Sequence, residues 1–232
     1  MKLFKLKFAL AFSIIIIFAS SVFANRDTDL LKAVKNPKAT PAQITKLIKS
    51  GAKVNAKDKK GLTVLMLALK NNAKPEIIKT LIDSGADVQA KTKKDFTNLM
   101  RAAEKTKYPE VIKILVEAGI DVNAKDQEGV TALMFAAAGN NDPEIIKTLI
   151  NSGAEINLKD NYGESALMWA VINYNSHGGK NLEVLRILAR SGADLHARNY
   201  EGKSPITEIR GQEAGKIMIN AASEYVMETQ NK

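Results

Sequence analysis

Residues 117–136 read Glu117-Ala-Gly-Ile-Asp-Val-Asn-Ala-Lys-Asp-Gln-Glu-Gly-Val-Thr-Ala-Leu-Met-Phe-Ala136, and versions of this phrase return along the chain. The first glycine of the phrase belongs to a series spaced 34 residues apart, with a last spacing of 39. The series is Gly51, Gly85, Gly119, Gly153 and Gly192. A fixed period of this length is typical of a solenoid of stacked units. Such an array presents an extended surface, so the sequence predicts a binding function.

Two further series keep step with these glycines. Ten residues after them stand Gly61, Gly129, Gly163 and Gly202, and Asp95 occupies the place where this series expects a glycine. Ten residues before them stand Pro41, Pro75, Pro109, Pro143 and, in the last unit, Leu182. Proline suits the first turn of a helix and glycine suits the left-handed residue that ends one. Each unit is therefore predicted to contain a helix that runs from the proline towards the first-series glycine.

Another helix, which comes before the proline helix in each unit, is predicted from hydroxyl side chains that precede short apolar segments. Such side chains can accept hydrogen bonds from the free backbone N–H groups at a helix start. These residues are Thr63, Thr97, Thr131, Ser165 and Ser204. The unit thus reads as first helix, turn, second helix and a connecting finger, where a finger is the loop that leads to the next Thr or Ser cap.

The second helices carry a recurring apolar face. It is seen in Ile77, Ile78, Leu81 and Ile82, and it returns as Val111, Ile112, Leu115 and Val116, as Ile145, Ile146, Leu149 and Ile150, and as Val184, Leu185, Leu188 and Ala189. This spacing places the apolar residues on one broad helix face that can meet neighbours on both sides. Gln43 stands where later units carry Ile77, which favours an N-terminal capping unit with one neighbour only.

A period of 34 residues alone also fits tetratricopeptide repeats, so the residues inside the unit must decide. Gly51 to Ala68 and Gly119 to Ala136 closely resemble ankyrin repeats, and Gly153 to Ala170 and Gly192 to Thr207 resemble them with substitutions. The chain departs from the family's usual Thr-Pro-Leu-His in one consistent way. Methionine replaces the histidine at Met66, Met100, Met134 and Met168, and Pro205 is the only proline in its slot.

The resemblance implies an all-α repeat solenoid of helix-turn-helix pairs with β-hairpin-like fingers, elongated and curved. We expect one ankyrin repeat domain over residues 25–232. Its parts are an N-terminal cap at 25–53, middle repeats at 54–87, 88–121, 122–155 and 156–194, and a degenerate C-terminal repeat with a tail at 195–232. The family implies a protein partner, and we expect the chain to be a monomer.

The N-terminus has the features of a secretory signal peptide at residues 1–24. Lys2, Lys5 and Lys7 precede an apolar run from Phe8 to Phe18, and small or modest residues lead to Ala24, where we expect cleavage. The alternative is an uncut membrane anchor, although the run is shorter than the ~20 apolar residues of a span. The chain has no Cys, so it forms no disulfide and carries no lipid on Cys. Frequent Lys, Ile and Asn suggest a bacterium, so the predicted location is periplasmic or extracellular, with no stable membrane span after cleavage.

Charge is distributed unevenly. Residues 25–94 hold 16 basic and 6 acidic side chains, whereas residues 95–232 hold 15 and 19. Much of the basic charge lies in the first two fingers, at Lys53, Lys57, Lys59 and Lys60 and at Lys91, Lys93 and Lys94. Such a patch attracts an anionic partner. Export and the lack of Arg and aromatic residues in these fingers argue against nucleic acid, so an acidic protein or anionic envelope surface is predicted. The alternative is a solvated lysine-rich surface.

A second candidate surface comes from the residue after each repeated methionine. In ankyrin proteins this position often faces the concave groove, and here it holds Leu67, Arg101, Phe135 and Trp169. We expect Phe135 and Trp169 to be neighbours, with Tyr162 and Tyr200 at the finger tips extending the patch. Large aromatic residues tend to dominate binding energy at protein interfaces. The alternative is that Phe135 and Trp169 only pack between repeats.

The long last spacing comes from an insertion at residues 173–181, between the two helices of its unit. Gly178 and Gly179 predict a mobile loop there, which either recognises a partner or is merely tolerated.

Catalysis has little support in the sequence. The histidines are His177 and His196, and there is no phosphate-binding glycine loop and no His pair at metal spacing. His196 stands in the slot of Asn55, Asn123 and Asn157. Recurring acids at Asp58, Asp126 and Asp160 are interpreted as turn residues that bond to backbone N–H groups, in register with Asn199. We therefore predict no catalytic, cofactor or metal residues.

Three functions from different classes remain. The favoured one is an exported ankyrin scaffold that binds a protein partner through its fingers and groove. The second is a secreted factor of a host-associated bacterium that binds a host protein, and only location separates it from the first. The third is an enzyme or metal-dependent protein.

Overall fold

The computed structural model describes residues 26–140 and 142–230. The predicted signal peptide at residues 1–24 lies outside the described residues. The chain divides into two compact units at Asp87 and Val88.

The first unit contains four helices. They are α1 (26–33), α2 (Pro41–Lys49), α3 (Val64–Lys70) and α4 (Pro75–Asp83). Both α2 and α3 pack against α4. The core between them includes Ile44, Leu65, Ile78 and Leu81, whose side chains are fully buried. The predicted alternation of a first helix, a second helix and a finger is therefore present in this unit.

The second unit continues the same pattern and ends in a long helix. Its elements are α5 (Asn98–Lys105), α6 (Pro109–Glu117), α7 (Ala132–Gly139), α8 (Pro143–Asn151), α9 (Ala166–Ser176), α10 (Leu182–Arg190), α11 (Pro205–Glu208) and α12 (Gln212–Gln230). The first helices α5, α7 and α9 pack in series, and the second helices α6, α8 and α10 form a parallel series. Within each unit the all-α repeat solenoid is confirmed.

Hydroxyl caps begin the first helices as predicted. The side chains of Thr63, Thr97, Thr131 and Ser165 each accept a hydrogen bond from the backbone N–H of the methionine three residues later. Ser204 differs, because its backbone N–H donates to the Thr207 hydroxyl and the two hydroxyls lie 3.2 Å apart.

The methionines that replace the family's histidine also take part in this capping. The Sδ atom of Met100 accepts a hydrogen bond from the Thr97 backbone N–H at 3.3 Å, and that of Met134 accepts one from the Thr131 N–H at 3.4 Å. Thioether sulfur is a weak acceptor, yet it satisfies a buried donor at each helix start. Methionine thus closes the capping motif at these two helices.

The prolines and glycines adopt the conformations that their spacing predicts. Pro75, Pro109 and Pro143 occupy the first turn of their helices. The glycines of both series have positive φ. Asp95, which interrupts the second series, also has a positive φ, of 58°. The finger conformation is therefore conserved at this position although the residue is not glycine, since Asp is one of the few residue types that tolerate it.

The apolar face of the second helices is buried in each of the two compact units. Val111, Ile112 and Leu115 are buried on α6, and the equivalent residues are buried on α4, α8 and α10. Gln43 is exposed, as expected for the N-terminal capping repeat. Its side chain also accepts from the Thr40 N–H, and its own N–H donates to the Thr40 hydroxyl. The polar residue at this slot thus has a capping role in addition to solvation.

Polar side chains hold successive loops together. The amide group of Asn123 donates to the Gly153 carbonyl and accepts from the Glu155 N–H, and Asn157 makes the same pair of bonds to Gly192 and Asp194. Asn55 repeats the arrangement in the first unit. His196 occupies the same slot in the last loop.

The acids in the fingers are turn residues, as interpreted from the sequence. The Oδ1 atoms of Asp58, Asp126 and Asp160 each accept from the backbone N–H groups two and four residues later, and Asn199 does the same. Among the described residues, β structure is limited to the isolated bridges between Lys57 and Thr63 and between Lys91 and Thr97. The fingers are therefore tight turns held by Asx-type bonds.

The insertion and the C-terminal tail are more ordered than the sequence suggests. Residues 173–176 extend α9, and Asn175 bonds to the Glu208 carbonyl and the Arg210 N–H. The tail forms the 19-residue helix α12, which packs along α10. A single helix with buried Ala214, Met218 and Ala221 thus closes the stack, in a part of the chain where the repeat pattern is lost.

Candidate partner-binding surface

Three aromatic side chains of the second unit form a continuous row, called the aromatic row below. Phe96 precedes the cap of α5, Phe135 lies on α7 and Trp169 lies on α9. The ring centroids of Phe96 and Phe135 are 4.9 Å apart in an edge-to-face arrangement, and those of Phe135 and Trp169 are 6.4 Å apart. Because α5, α7 and α9 pack in series, residues at one repeat position meet across the helices. The expectation that Phe135 and Trp169 are neighbours is confirmed.

Arg101 completes the row at one end. Its guanidinium carbon lies 4.3 Å from the centroid of the Phe96 ring, which is cation–π geometry. The same guanidinium forms an ion pair with Glu104 at 3.0 Å. The guanidinium at this end of the row is therefore held between the Phe96 ring and the Glu104 carboxylate.

The aromatic row is half-buried. Phe96, Phe135 and Trp169 are each of intermediate exposure, so their rings pack between repeats and still reach the surface. Ile172, three residues after Trp169 on α9, is 44% exposed. Residues three apart share a helix face, so Ile172 extends the same apolar surface. Both sequence interpretations of these rings, packing and partner contact, are compatible with this placement.

Asp160 fixes the orientation of Trp169. Its Oδ2 accepts from the indole Nε1–H at 2.9 Å, while its Oδ1 accepts from the N–H groups of Tyr162 and Glu164, each at 2.9 Å. The carboxylate is 3% exposed, and three donors satisfy it. One buried group therefore ties the indole to the finger that carries Tyr162.

The tyrosines at the finger tips are the most exposed aromatic residues of the second unit. Tyr162 is 64% exposed and Tyr200 is 79% exposed. The Tyr200 N–H donates to the Tyr162 carbonyl at 3.0 Å, so the two tips are adjacent. Their rings are available to a partner without any rearrangement of the fold.

Leu67 does not fit the candidate surface. It belongs to the first unit, and only 3% of its surface is exposed, so it offers little area to a partner. Sequence reasoning placed it by repeat position alone. The residue after the methionine is thus a core position in that repeat, because every residue from Val64 to Leu69 on α3 is buried.

Sequence reasoning missed Phe96. Its slot directly precedes the helix cap and holds Leu62, Val130, Glu164 and Lys203 in the other units. Phe96 is the only aromatic residue among the five residues in that slot. This difference between the repeats is the sequence signal that could have identified it. The slot lies beside the first helix of the next repeat, so an aromatic ring there reaches Phe135.

The lysines of the fingers are exposed in each unit. Lys59 and Lys60 lie at the first finger tip, in the first unit. Lys93 and Lys94 lie at the second finger tip, in the second unit, and Lys94 is 3.9 Å from the Glu128 carboxylate. The pairs therefore remain accessible cations, as an acidic partner would require.

Glu164 is a partly buried acid in the finger that carries Tyr162, and the pKa of its carboxyl is raised. Burial raises the pKa of its carboxyl, and the nearby Asp160 and Glu201 charges add to this, while the Asn199 amide opposes it. The Glu164 carboxylate is thus an incompletely solvated charge beside the finger that carries Tyr162.

The residues that the structure describes were also searched for a cluster of metal ligands and for a membrane-spanning helix. Within residues 26–140 and 142–230, no three His, Cys, Asp or Glu side chains are grouped as metal ligands would be. In the same ranges no helix is both long and apolar enough to cross a membrane.

Comparisons with known proteins identify the family. A family model of ankyrin repeats, three copies long, matches residues 30–126 and 121–199. The chain is also similar to the solved ankyrin repeat domain of Bcl-3, a member of the IkappaB protein family, with a TM-score of 0.64 and 30% identity over 77% of each chain. No curated protein sequence matches. Ankyrin repeat domains are in general non-catalytic scaffolds for protein–protein interaction, and this chain belongs to the ankyrin repeat family.

Proposed function

We propose that the chain is an exported scaffold that binds a protein partner through the aromatic row and the adjoining finger tips. The observation that carries the proposal is the continuous row from Arg101 through Phe96 and Phe135 to Trp169. Arg, Trp and Tyr are the residue types that contribute most binding energy at protein interfaces. Tyr162 and Tyr200 add exposed aromatic area beside the row.

The arrangement suits binding because its parts are held in place before a partner arrives. The Asp160 bond holds the indole, the capping bonds hold the helix starts and the fingers are tied by backbone hydrogen bonds. A rigid aromatic surface loses little conformational entropy on association. A protein segment with apolar side chains is the partner that this surface favours.

The test is affinity capture from envelope and culture-medium fractions with the chain from residue 25 onwards as bait. The altered bait carries Phe135→Ala and Trp169→Ala. A control bait carries Val116→Ala and Ile150→Ala, which truncate two half-buried apolar residues on α6 and α8. We expect the control to retain the partner and the altered bait to lose it.

A third bait separates contact from packing. Tyr162→Ala with Tyr200→Ala removes exposed rings, so its melting temperature should remain close to that of the unaltered chain. Weaker capture by this bait supports the surface directly. Equal capture by all four baits contradicts the proposal.

Export is the second part of the proposal and has its own test. It is supported by the Lys-rich start, the apolar run and Ala24 at the expected cleavage point. Cell fractionation followed by N-terminal sequencing should find a chain that begins at Asn25 in the periplasm or medium. A cytoplasmic chain that retains Met1 contradicts this part, and recovery from a host cell favours a host partner.

A further inference from the structure

One repeat position changes from basic to acidic along the second unit. It is the fourth residue after the Thr or Ser cap of each first helix, and it holds Arg101, Phe135, Trp169 and, in the last repeat, Glu208. Helix α11, which carries Glu208, packs against α9, which carries Trp169. The apolar part of the aromatic row therefore has a cation at one end and a carboxylate at the other.

Two further carboxylates accompany Glu208. Lys203 forms an ion pair with Glu201 at 2.8 Å. The hydrogen bond and charge of Glu201 raise the pKa of the Lys203 amine, and the charges of Glu208 and Glu164 add to this effect. We call Glu164, Glu201 and Glu208 the acidic end of the surface. Because these three carboxylates act on one lysine, an approaching cation meets an excess of negative charge there.

Glu164 is a polar residue in a slot that suits apolar side chains. The slot holds Leu62, Phe96 and Val130 in the preceding repeats. The Asn199 amide donates to the Glu164 Oε1 in a long hydrogen bond of 3.4 Å, and burial raises the pKa of the carboxyl. Departures from the local pattern of this kind are typical of functional positions. A partner cation would offset the hydration that this carboxylate has lost.

Exposed aromatic rings border the acidic end. The Tyr200 ring lies against Gly163, since a Cβ added at that glycine would be 3.0 Å from the Tyr200 Cδ1 atom. Gly163 directly precedes Glu164, and Tyr162 lies on the same finger tip with its ring exposed. An arginine guanidinium both stacks on aromatic rings and pairs with carboxylates in a planar fork, which a lysine ammonium cannot do. Exposed rings beside an excess of carboxylates therefore favour arginine.

We propose that the partner segment carries an arginine that binds the acidic end while its apolar side chains lie on the aromatic row. This inference rests on the proposed function, because it takes the row as the contact surface. Opposite charge favours such a segment over an acidic one and fixes its direction along the repeats. At the other end of the row, Arg101 would repel the same arginine.

The probe for the test is a phage-displayed library of short random peptides, selected on the intact chain. Selected peptides that no longer bind a variant with Phe135→Ala and Trp169→Ala occupy the aromatic row. We expect arginine beside apolar residues to be enriched in these peptides over the starting library.

Fluorescence anisotropy then measures the affinity of one enriched peptide that carries a dye. Its dissociation constant should rise about three- to tenfold with Glu164→Gln, as expected for the loss of a partly exposed ion pair. Replacing the peptide's arginine with glutamine should weaken binding to the unaltered chain to the same extent. The same replacement should have little further effect on binding to Glu164→Gln, because the two changes remove one interaction.

Glu117→Gln is the matched control, since it makes the same charge change at an exposed position at the end of α6. It should bind the peptide like the unaltered chain. Unfolding cannot explain weaker binding by Glu164→Gln, because removal of a partly buried charge should stabilise the fold near neutral pH. Circular dichroism confirms that each variant is folded.

The outcomes separate this inference from the proposed function. Row-bound peptides without arginine enrichment, or peptides that Glu164→Gln binds as tightly as the unaltered chain, overturn the inference and leave the proposed function standing. Selected peptides that bind the Phe135→Ala, Trp169→Ala variant as tightly as the unaltered chain contradict the proposed function itself, as does a selection that enriches no peptide.

Discussion

At the scale of single residues, Asp160 differs from its equivalents in the other fingers. Asp58 and Asp126 accept from two backbone N–H groups, whereas Asp160 also accepts from the Trp169 indole. Asn199 makes the same two backbone bonds in the last finger, so an amide can replace the carboxylate in the turn. The indole bond alone requires the second acceptor oxygen.

Asp160→Asn should therefore affect Trp169 and leave the turn intact. The new amide NH₂ faces the indole N–H, so the side chain loses its acceptor, and the free energy of unfolding should fall about 1 to 2 kcal/mol more than in Asp126→Asn. The chain has one Trp, so selectively excited tryptophan fluorescence reports on this site alone. We expect emission to shift to longer wavelength in Asp160→Asn only. Identical spectra for the two variants would argue against a positioning role for Asp160.

Glu164 makes stability depend on pH in a direction opposite to that of most acids. Its pKa is raised by burial, so the folded state binds the proton more tightly than the unfolded state, and stability is lost as pH rises through the folded pKa. Glu164→Gln removes the charge and should raise the free energy of unfolding near neutral pH. The gain should vanish below about pH 4, where the unfolded carboxyl is protonated too.

Glu201 provides a control of opposite sign in the next finger. Its hydrogen bond to Lys203 lowers the pKa of its carboxyl, so its contribution is present above the unfolded pKa and lost as pH falls. Glu201→Gln should lower stability near neutral pH. Urea unfolding across the pH range measures both variants, and the same sign for both would refute the assignment.

At the scale of elements, the fingers of the second unit form a hydrogen-bonded ladder. The N–H of Gln127 donates to the Lys94 carbonyl, that of Asn161 to Glu128 and that of Tyr200 to Tyr162. Lysine side chains add bonds of the same kind, from Lys125 to the Lys159 carbonyl and from Lys159 to that of Arg198. The ladder requires close approach of one finger to the next, which a glycine allows.

Gly129 and Gly119 separate backbone strain from close approach. Both have positive φ, but a Cβ added at Gly119 would meet nothing within 4 Å. A Cβ added at Gly129 would lie 2.7 Å from the Oδ1 atom of Asn161 and 2.9 Å from the backbone nitrogen of the same residue. Gly119→Ala should cost about 1 kcal/mol from strain. Gly129→Ala should cost a further 1 to 3 kcal/mol, roughly the cost of overpacking. Chemical denaturation measures the free energy of unfolding of both variants. Equal losses of stability would mean that close approach of the fingers at Gly129 contributes nothing.

At the scale of the whole molecule, positive charge is concentrated at the N-terminal side of the chain. The first unit carries Lys59 and Lys60 on an exposed finger tip. Exposed charges act mainly through long-range attraction that salt weakens. If this finger recognises acidic partners, binding should weaken with salt and should depend on Lys59 and Lys60 in particular. If the finger is merely solvated, replacing its lysines should affect binding no more than replacing other exposed lysines.

The comparison uses polyglutamate as the acidic probe. Lys59→Gln with Lys60→Gln should weaken its binding about two- to fivefold at low salt, as expected for the loss of two exposed ion pairs. Lys32→Gln with Lys35→Gln makes the same charge change on exposed positions of the first unit outside the finger. Titration calorimetry or fluorescence anisotropy gives the affinities. If the two double variants weaken binding equally, net charge alone explains the attraction.

Much of the fold was predictable because the repeat unit is encoded locally. The caps at Thr63, Thr97 and Thr131 and the positive φ of the glycines depend on residues a few positions apart in the chain. The binding surface was predictable in part. Repeat position brought Phe135 and Trp169 together, but it could not show that Leu67 is buried or that Phe96 joins the row, because burial depends on the neighbouring repeat.

The sequence by itself determined the repeat period, the helix starts and ends, the turn acids and the family. These features follow from hydrogen bonds and conformational preferences within one unit, and the unit returns along the chain. Only the tertiary structure decided that Asp160 holds the Trp169 indole and that the tail is a helix against α10. These features depend on packing between segments that are distant in sequence or have lost the repeat pattern.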